Sequence, residues 1–158
     1  MTDFERLFED NREFVFRYLM KLSRDCSLAE ELTQETFFRA YMNYSSLRNK
    51  EKASVWLCQI AKNTYFAWYK KNKKTDSLEH AELLSGAEDP EETFTQKELS
   101  RTALAQLHEL EEPYKEVFML AVFGGFPLKD ISTIFGKSES WARVTFYRAK
   151  QKLLERMR

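Results

Sequence analysis

The thirty residues from Pro127 to Arg156, near the C-terminus, limit what the chain can fold into more than any other stretch. Pro127 suits the first position of a helix, where a missing N–H costs nothing. Ile131, Ile134 and Phe135 lie three and four apart and so share one helical face. Gly136 then stops that helix, because a left-handed closing residue carries little penalty when it is glycine. Ser138 or Ser140 can cap a second helix. That helix turns Trp141, Val144 or Thr145, Ala149 and Leu153 inward, and leaves Arg143, Tyr147, Arg148, Lys150, Lys152 and Arg156 outside. A short helix, a glycine turn and a basic helix read as a helix-turn-helix, its second helix shaped for a DNA major groove.

The rest of the chain is compatible with helices throughout. Only 4 Gly and 3 Pro interrupt 158 residues, and no run alternates as a strand would. Net charge is formally zero, which argues against a simple basic coat on nucleic acid. The charge is sorted into blocks, however. Residues 54–74 hold five Lys and no acid, residues 76–98 hold eight acids and one Lys, and residues 143–158 hold six basic residues and one Glu. Two cationic surfaces separated by an acidic connector follow from that distribution. Cys26 and Cys58 sit singly in helical patterns and read as packed residues; no Cys/His spacing suggests a metal. An acidic N-terminus without an apolar run gives no signal peptide, and Val117 to Phe123 is too short to span a bilayer. A cytoplasmic, reduced setting is expected, with no membrane insertion.

In chain order, Thr2-x-x-Glu5 has capping-box spacing ahead of Phe4, Leu7, Phe8, Phe14, Val15, Tyr18, Leu19 and Leu22. Ser27-x-x-Glu30 has the same spacing and opens a second helix, with Leu28, Leu32, Phe37 or Phe38, and Tyr41 recurring. Glu31, Gln34, Glu35 and Arg39 occupy another side of it, either a solvated face or a docking surface. After a polar loop, Ser54 can cap a helix to about Lys71 with Leu57, Ile60, Ala61, Thr64 and Trp68 inward. Its other side carries Lys62, Asn63, Phe66, Tyr69, Lys70 and Lys73. Aromatics among lysines fit single-stranded nucleic acid, with bases stacked on rings and ammonium groups at phosphates. Equally, Phe66 and Tyr69 can pack against the first helix. Residues 75–95 are acidic and turn-rich, which reads as a linker; His80 within it is solvated. Thr95-x-x-Glu98 starts a second domain, with Leu99, Ala103, Leu107 and Leu110 on one face. Pro113 opens a helix that Gly124-Gly125 ends. The expected architecture is all-α: two small helical domains, 1–74 and 96–158, joined by the linker 75–95.

Two stretches resemble bacterial RNA polymerase sigma factors of the sigma-70 family, specifically the small extracytoplasmic-function (ECF) group. Ala29-Glu-Glu-Leu-Thr-Gln-Glu-Thr-Phe-Phe-Arg-Ala-Tyr41 with Trp56-Leu-Cys-Gln-Ile-Ala-Lys-Asn63 is similar to region 2 of that family, and Leu107 to Leu154 is similar to region 4. The ordered pair is far more specific than a lone helix-turn-helix. The resemblance implies a core-polymerase contact at Glu31, Gln34, Glu35 and Tyr41. It implies capture of the −10 element by Trp56, Lys62, Asn63, Phe66, Tyr69, Lys70 and Lys73, with Asn63 gripping a flipped base and loop 45–53 helping to form its pocket. It implies −35 reading by the last helix through Ser138, Ser140, Arg143, Val144, Tyr147 and Arg148. Two departures stand out: Leu110-Glu111 where the family commonly has Leu-Pro, and Trp141 where a small residue is usual.

What the resemblance implies is a dissociable specificity subunit with no cofactor, whose partners are core RNA polymerase, promoter DNA (duplex at −35, single-stranded at −10) and an anti-sigma factor. No nucleophile–base pair, carboxylate pair or phosphate loop supports an enzyme. The alternative is a stand-alone helix-turn-helix regulator using residues 127–156 alone, which leaves the 54–74 aromatics without a use. A helical adaptor with no DNA role leaves the basic final helix unexplained.

Overall fold

The structure, a computed structural model, describes residues 1–85 and 101–158, with side chains as far as Asn72 and again from Thr102. The described residues form seven α-helices and two 3-10 turns, with no strand among them. α1 (Asp3–Ser23) starts with the expected capping box: Glu5 N–H donates to Thr2 Oγ1 at 3.1 Å, and Thr2 N–H donates back to the Glu5 carboxylate. Leu7, Val15, Tyr18, Leu19 and Leu22 are buried from it, as their spacing requires.

Three local expectations are corrected. α2 (Cys26–Met42) is capped by Asp25, whose carboxylate accepts from Leu28 N–H at 3.2 Å, not by Ser27. The reason lies one residue earlier. Arg24 closes α1 in the left-handed region (φ 57), so the chain restarts at once and the first strong capping side chain is Asp25. Ser54 does not cap α3 (Ala53–Ser85); its hydroxyl donates to Asn11 Oδ1 at 2.6 Å and ties α3 to α1. Two 3-10 turns, Tyr44–Ser46 and Lys50–Lys52, lead into α3 instead. Finally, α3 does not end near Lys71 but continues to Ser85, about 50 Å of helix at 1.5 Å per residue. No Gly or Pro occurs in it, and the first breaker is Gly86. The first part of the expected linker is therefore helical. Residues 86–95 and the Thr95–Glu98 capping spacing lie outside the described residues.

The second unit comprises α4 (Arg101–Glu109), α5 (Tyr114–Val122), α6 (Leu128–Phe135) and α7 (Glu139–Arg156). Leu107, Leu110, Val117, Phe118, Leu120, Ile131 and Leu153 fill its centre. Gly124 is required by space: a Cβ there would lie 2.7 Å from the Leu120 carbonyl oxygen and 2.6 Å from the Phe126 ring. Gly136 closes α6 at φ 67, as its sequence position requires. No helix among the described residues is long and apolar enough to cross a membrane.

The two units share one hydrophobic cluster. α3 lies along α4, α5 and α6. Phe14 of α1 meets Phe126, ring centroids 5.5 Å apart. Lys52 Nζ lies 2.6 Å from Asp130 Oδ1 in a part-buried pair, and Lys21 Nζ donates to the Phe123 carbonyl at 3.1 Å.

Candidate polymerase and nucleic-acid interfaces

Three faces hold the residues singled out from the sequence. The first is on α2. Ala29, Leu32, Thr36, Phe37 and Ala40 are buried, a helical spacing that selects Phe37 for the core and throws Phe38 outward. Glu31, Gln34, Glu35 and Tyr41 are all exposed. Glu35 holds Arg39 at 3.0 Å in an exposed i,i+4 pair, which contributes little to stability and leaves both groups available. Between α2 and α3 runs an open groove of about 620 Å³, lined by Glu31, Gln34, Glu35, Phe38, Trp68 and Lys71. Phe38 and Met42, 62% and 65% exposed, join the polar stripe and were missed from sequence. Once Phe37 is placed inward, its neighbour must point out, so the signal was there. Tyr41, though exposed, rests its edge on Phe4 at 5.2 Å.

The second face is on α3, and here the expected exposure is corrected. Asn63 and Lys70 are exposed. Lys62 is only 3% exposed, Phe66 7% and Trp56 8%. Tyr69 is half-buried, and the side chain of Lys73 lies outside the described residues. Phe66 and Tyr69 do turn away from the core of the first unit, but the second unit covers them. Phe66 stacks on His108 at 5.1 Å, Tyr69 meets the same ring at 4.7 Å, and Lys115 Nζ sits 5.0 Å from the Phe66 centroid. Lys62 Nζ is held between Glu112 (2.6 Å) and Glu116 (3.3 Å). Removing those carboxylates would leave a buried unpaired charge, a penalty of roughly 3–5 kcal/mol. Burial holds the Lys115 ammonium below its ordinary pKa, with Lys62 pushing the same way and Glu112 opposing it.

The third face is on α7. Ser138 is its cap, accepting from Trp141 N–H at 3.0 Å, which decides between the two serines; Ser140 is exposed in the first turn. Ala142, Thr145, Ala149 and Leu153 are buried, so Thr145 rather than Val144 faces the core. Trp141 is half-buried against Phe135 at 5.3 Å. Arg143, Val144, Tyr147 and Arg148 are all exposed, Tyr147 at 61%. Arg143 makes an exposed pair with Glu139 at 3.7 Å. Two basic residues expected to face solvent have structural partners: Lys152 pairs with Glu111 at 3.2 Å and Arg156 donates to Gln106 at 3.0 Å. Among the described residues no His/Cys/Asp/Glu group is placed to hold a metal. Cys26 is exposed; Cys58 is buried, and burial raises its thiol pKa strongly.

The chain thus carries an exposed basic helix in a helix-turn-helix, a polar groove beside α2, and an aromatic–basic helix α3. Family models match in the same order: Sigma-70 region 2 over residues 7–75 and Sigma-70 region 4 over residues 100–153. The ECF RNA polymerase sigma factor SigM of Bacillus subtilis is 31% identical over 143 residues, spanning 88% of this chain and 85% of the relative. The RNA polymerase sigma factor YlaC of the same organism is 27% identical over 157 residues, 97% of this chain and 91% of that protein. The fold matches the sigma factor RpoE from Bartonella quintana, solved in complex with the anti-sigma factor NepR, with TM-score 0.54 and 18% identity over 98% of this chain and 96% of that one. The chain belongs to the ECF group of the sigma-70 family, the subunits that give RNA polymerase promoter-specific initiation.

Proposed function

We propose that this chain docks on core polymerase through the α2 groove, reads the −35 duplex with α7 and captures the −10 non-template strand with α3. The observation that carries this is the exposed row Arg143, Val144, Tyr147 and Arg148 on the second helix of a helix-turn-helix. Arginine forks reach guanine edges or phosphates, while Tyr147 and Val144 offer apolar contact to thymine methyls. Ser138 is committed as a helix cap, so its contribution to DNA is limited to its remaining hydroxyl capacity. Asn63 and Lys70 are open to the −10 strand in this conformation; Lys62, Phe66 and Tyr69 join them once uncovered. Trp56 supports the start of α3 from within. The unit boundaries 1–74 and 96–158 serve as functional divisions even though α3 extends past the first.

The chain acts as a regulatory subunit without catalytic residues of its own, in the compartment of the polymerase. Its further partner is an anti-sigma factor, as the similar RpoE has NepR. Run-off transcription with core polymerase on a genomic library of the host tests the reading. Discrete transcripts that require the protein are expected. Transcription indistinguishable from core alone would overturn it, and tight operator binding without polymerase would favour the stand-alone regulator.

A further inference from the structure

Trp141 stands at the seam between the packed and the open faces of α7. Four residues on, Thr145 is buried; three and seven residues on, Val144 and Arg148 are exposed. The side chain belongs to both faces. Its ring lies half-buried against Phe135, the last residue of α6, with centroids 5.3 Å apart at 48°, which restrains the indole. Its N–H meets no acceptor among the described residues, yet it is not sealed in the core. A tryptophan that packs its ring and leaves its N–H wet is suited to an acceptor from outside. The surroundings favour an anionic one: Lys137, Arg143 and Arg148 are exposed nearby, and Glu139 is the one acid in residues 137–148. In a helix-turn-helix the first helix crosses the DNA backbone while the second enters the groove, so the edge of α7 that touches α6 faces phosphate rather than base. We propose that Trp141 is a positioning residue for −35 binding, its indole N–H donating to one backbone phosphate while Phe135 holds the ring in place. The inference rests on the reading of α7 as the −35 helix. A phosphate contact carries no base identity but fixes register. Trp141 therefore sets how firmly α7 seats on any sequence, and the choice among sequences stays with Arg143, Val144, Tyr147 and Arg148.

The test uses the full chain assembled on core polymerase and a short duplex selected on that holoenzyme from a random-sequence pool. Single methylphosphonates, each replacing one charged phosphate oxygen by a methyl group, are placed in turn along both strands, and dissociation constants are read by filter binding. Two variants isolate the N–H. Trp141→Phe keeps a ring for Phe135. Benzothienylalanine at the same position keeps the bicyclic shape and puts sulfur where the N–H was, so a loss in that variant does not come from packing. On the unmodified duplex both should bind about tenfold more weakly, the strength of one hydrogen bond to a charged group. At one phosphate the methylphosphonate should cost the wild type about tenfold more than it costs either variant, and elsewhere the costs should match. Wild-type affinity in the benzothienylalanine variant, or equal costs at every phosphate, would overturn the proposal and leave Trp141 a packing residue with α7 still the −35 reader. Arg143→Ala/Arg148→Ala checks that reading separately. A loss of about a hundredfold is expected, and wild-type affinity in that variant would overturn the reading of α7 together with the proposal.

Discussion

Lys62 and Asn63 are adjacent in sequence and opposite in surroundings. Lys62 is 3% exposed between two carboxylates, while Asn63 is exposed to solvent. Asn63, like Lys70, can therefore be altered without disturbing packing. Replacing it with Ala removes an amide that can donate and accept against a flipped base. A lost polar contact in a desolvated pocket costs about 1–3 kcal/mol, so open-complex formation should fall on the order of tenfold while polymerase binding and −35 binding persist. Permanganate reactivity of thymines at the start site measures this, and unchanged reactivity removes Asn63 from base capture. At this scale the sequence was informative about direction but not about environment. Lys62, Phe66 and Tyr69 lie at i, i+4 and i+7, so periodicity correctly turns them away from the core of their own unit. That a second unit covers them leaves no periodic trace, because the covering residues His108, Glu112 and Glu116 are some forty to fifty positions away.

Helices were legible where each turn repeats the same choice, and less so at their ends. α2 illustrates both. Its buried face follows from Leu28 and Leu32 onward, yet Phe37 and Phe38 are chemically identical and only the completed face Ala29, Leu32, Thr36, Phe37 and Ala40 separates them. Its cap moved from Ser27 to Asp25 because the left-handed Arg24 immediately precedes it. The opposite face of α2 combines Glu31, Gln34 and Glu35 with exposed Phe38 and Met42, the mix of polar rim and apolar centre that the proposed docking on polymerase calls for. Gln34→Ala/Glu35→Ala should weaken binding to core polymerase about tenfold, the loss of one or two interface contacts of ordinary strength. Because both side chains are exposed, thermal stability should change little. Titration of labelled protein with core enzyme measures the effect, and an unchanged affinity would make this stripe solvated surface after all. α7 shows the same division: Ala149 and Leu153 were fixed by spacing, whereas Thr145 over Val144 and Ser138 over Ser140 needed the packed structure.

At the scale of the molecule, the helix-turn-helix and the two-unit order were readable because each is local in the chain. The interface between the units was not, since it joins elements through side chains with no shared sequence pattern. That interface has two ends. One is the His108–Glu112–Glu116 elbow on α3; the other is Phe14 against Phe126 with Lys52 against Asp130. Each unit is small, and small helical domains bury a limited fraction of their surface. Contacts shared between them should therefore couple their unfolding into one cooperative transition. Lys52→Ala/Phe126→Ala removes the second end without touching α7, the α2 groove or the elbow. Loss of one buried-side ion pair and one aromatic contact takes away about 2–4 kcal/mol, borne by the interface rather than by either core. Scanning calorimetry of the wild type should show a single endotherm, and the double variant should resolve two, the earlier one lowered by several degrees. Two endotherms already present in the wild type would mean that the units unfold independently and that the shared hydrophobic cluster does not couple them.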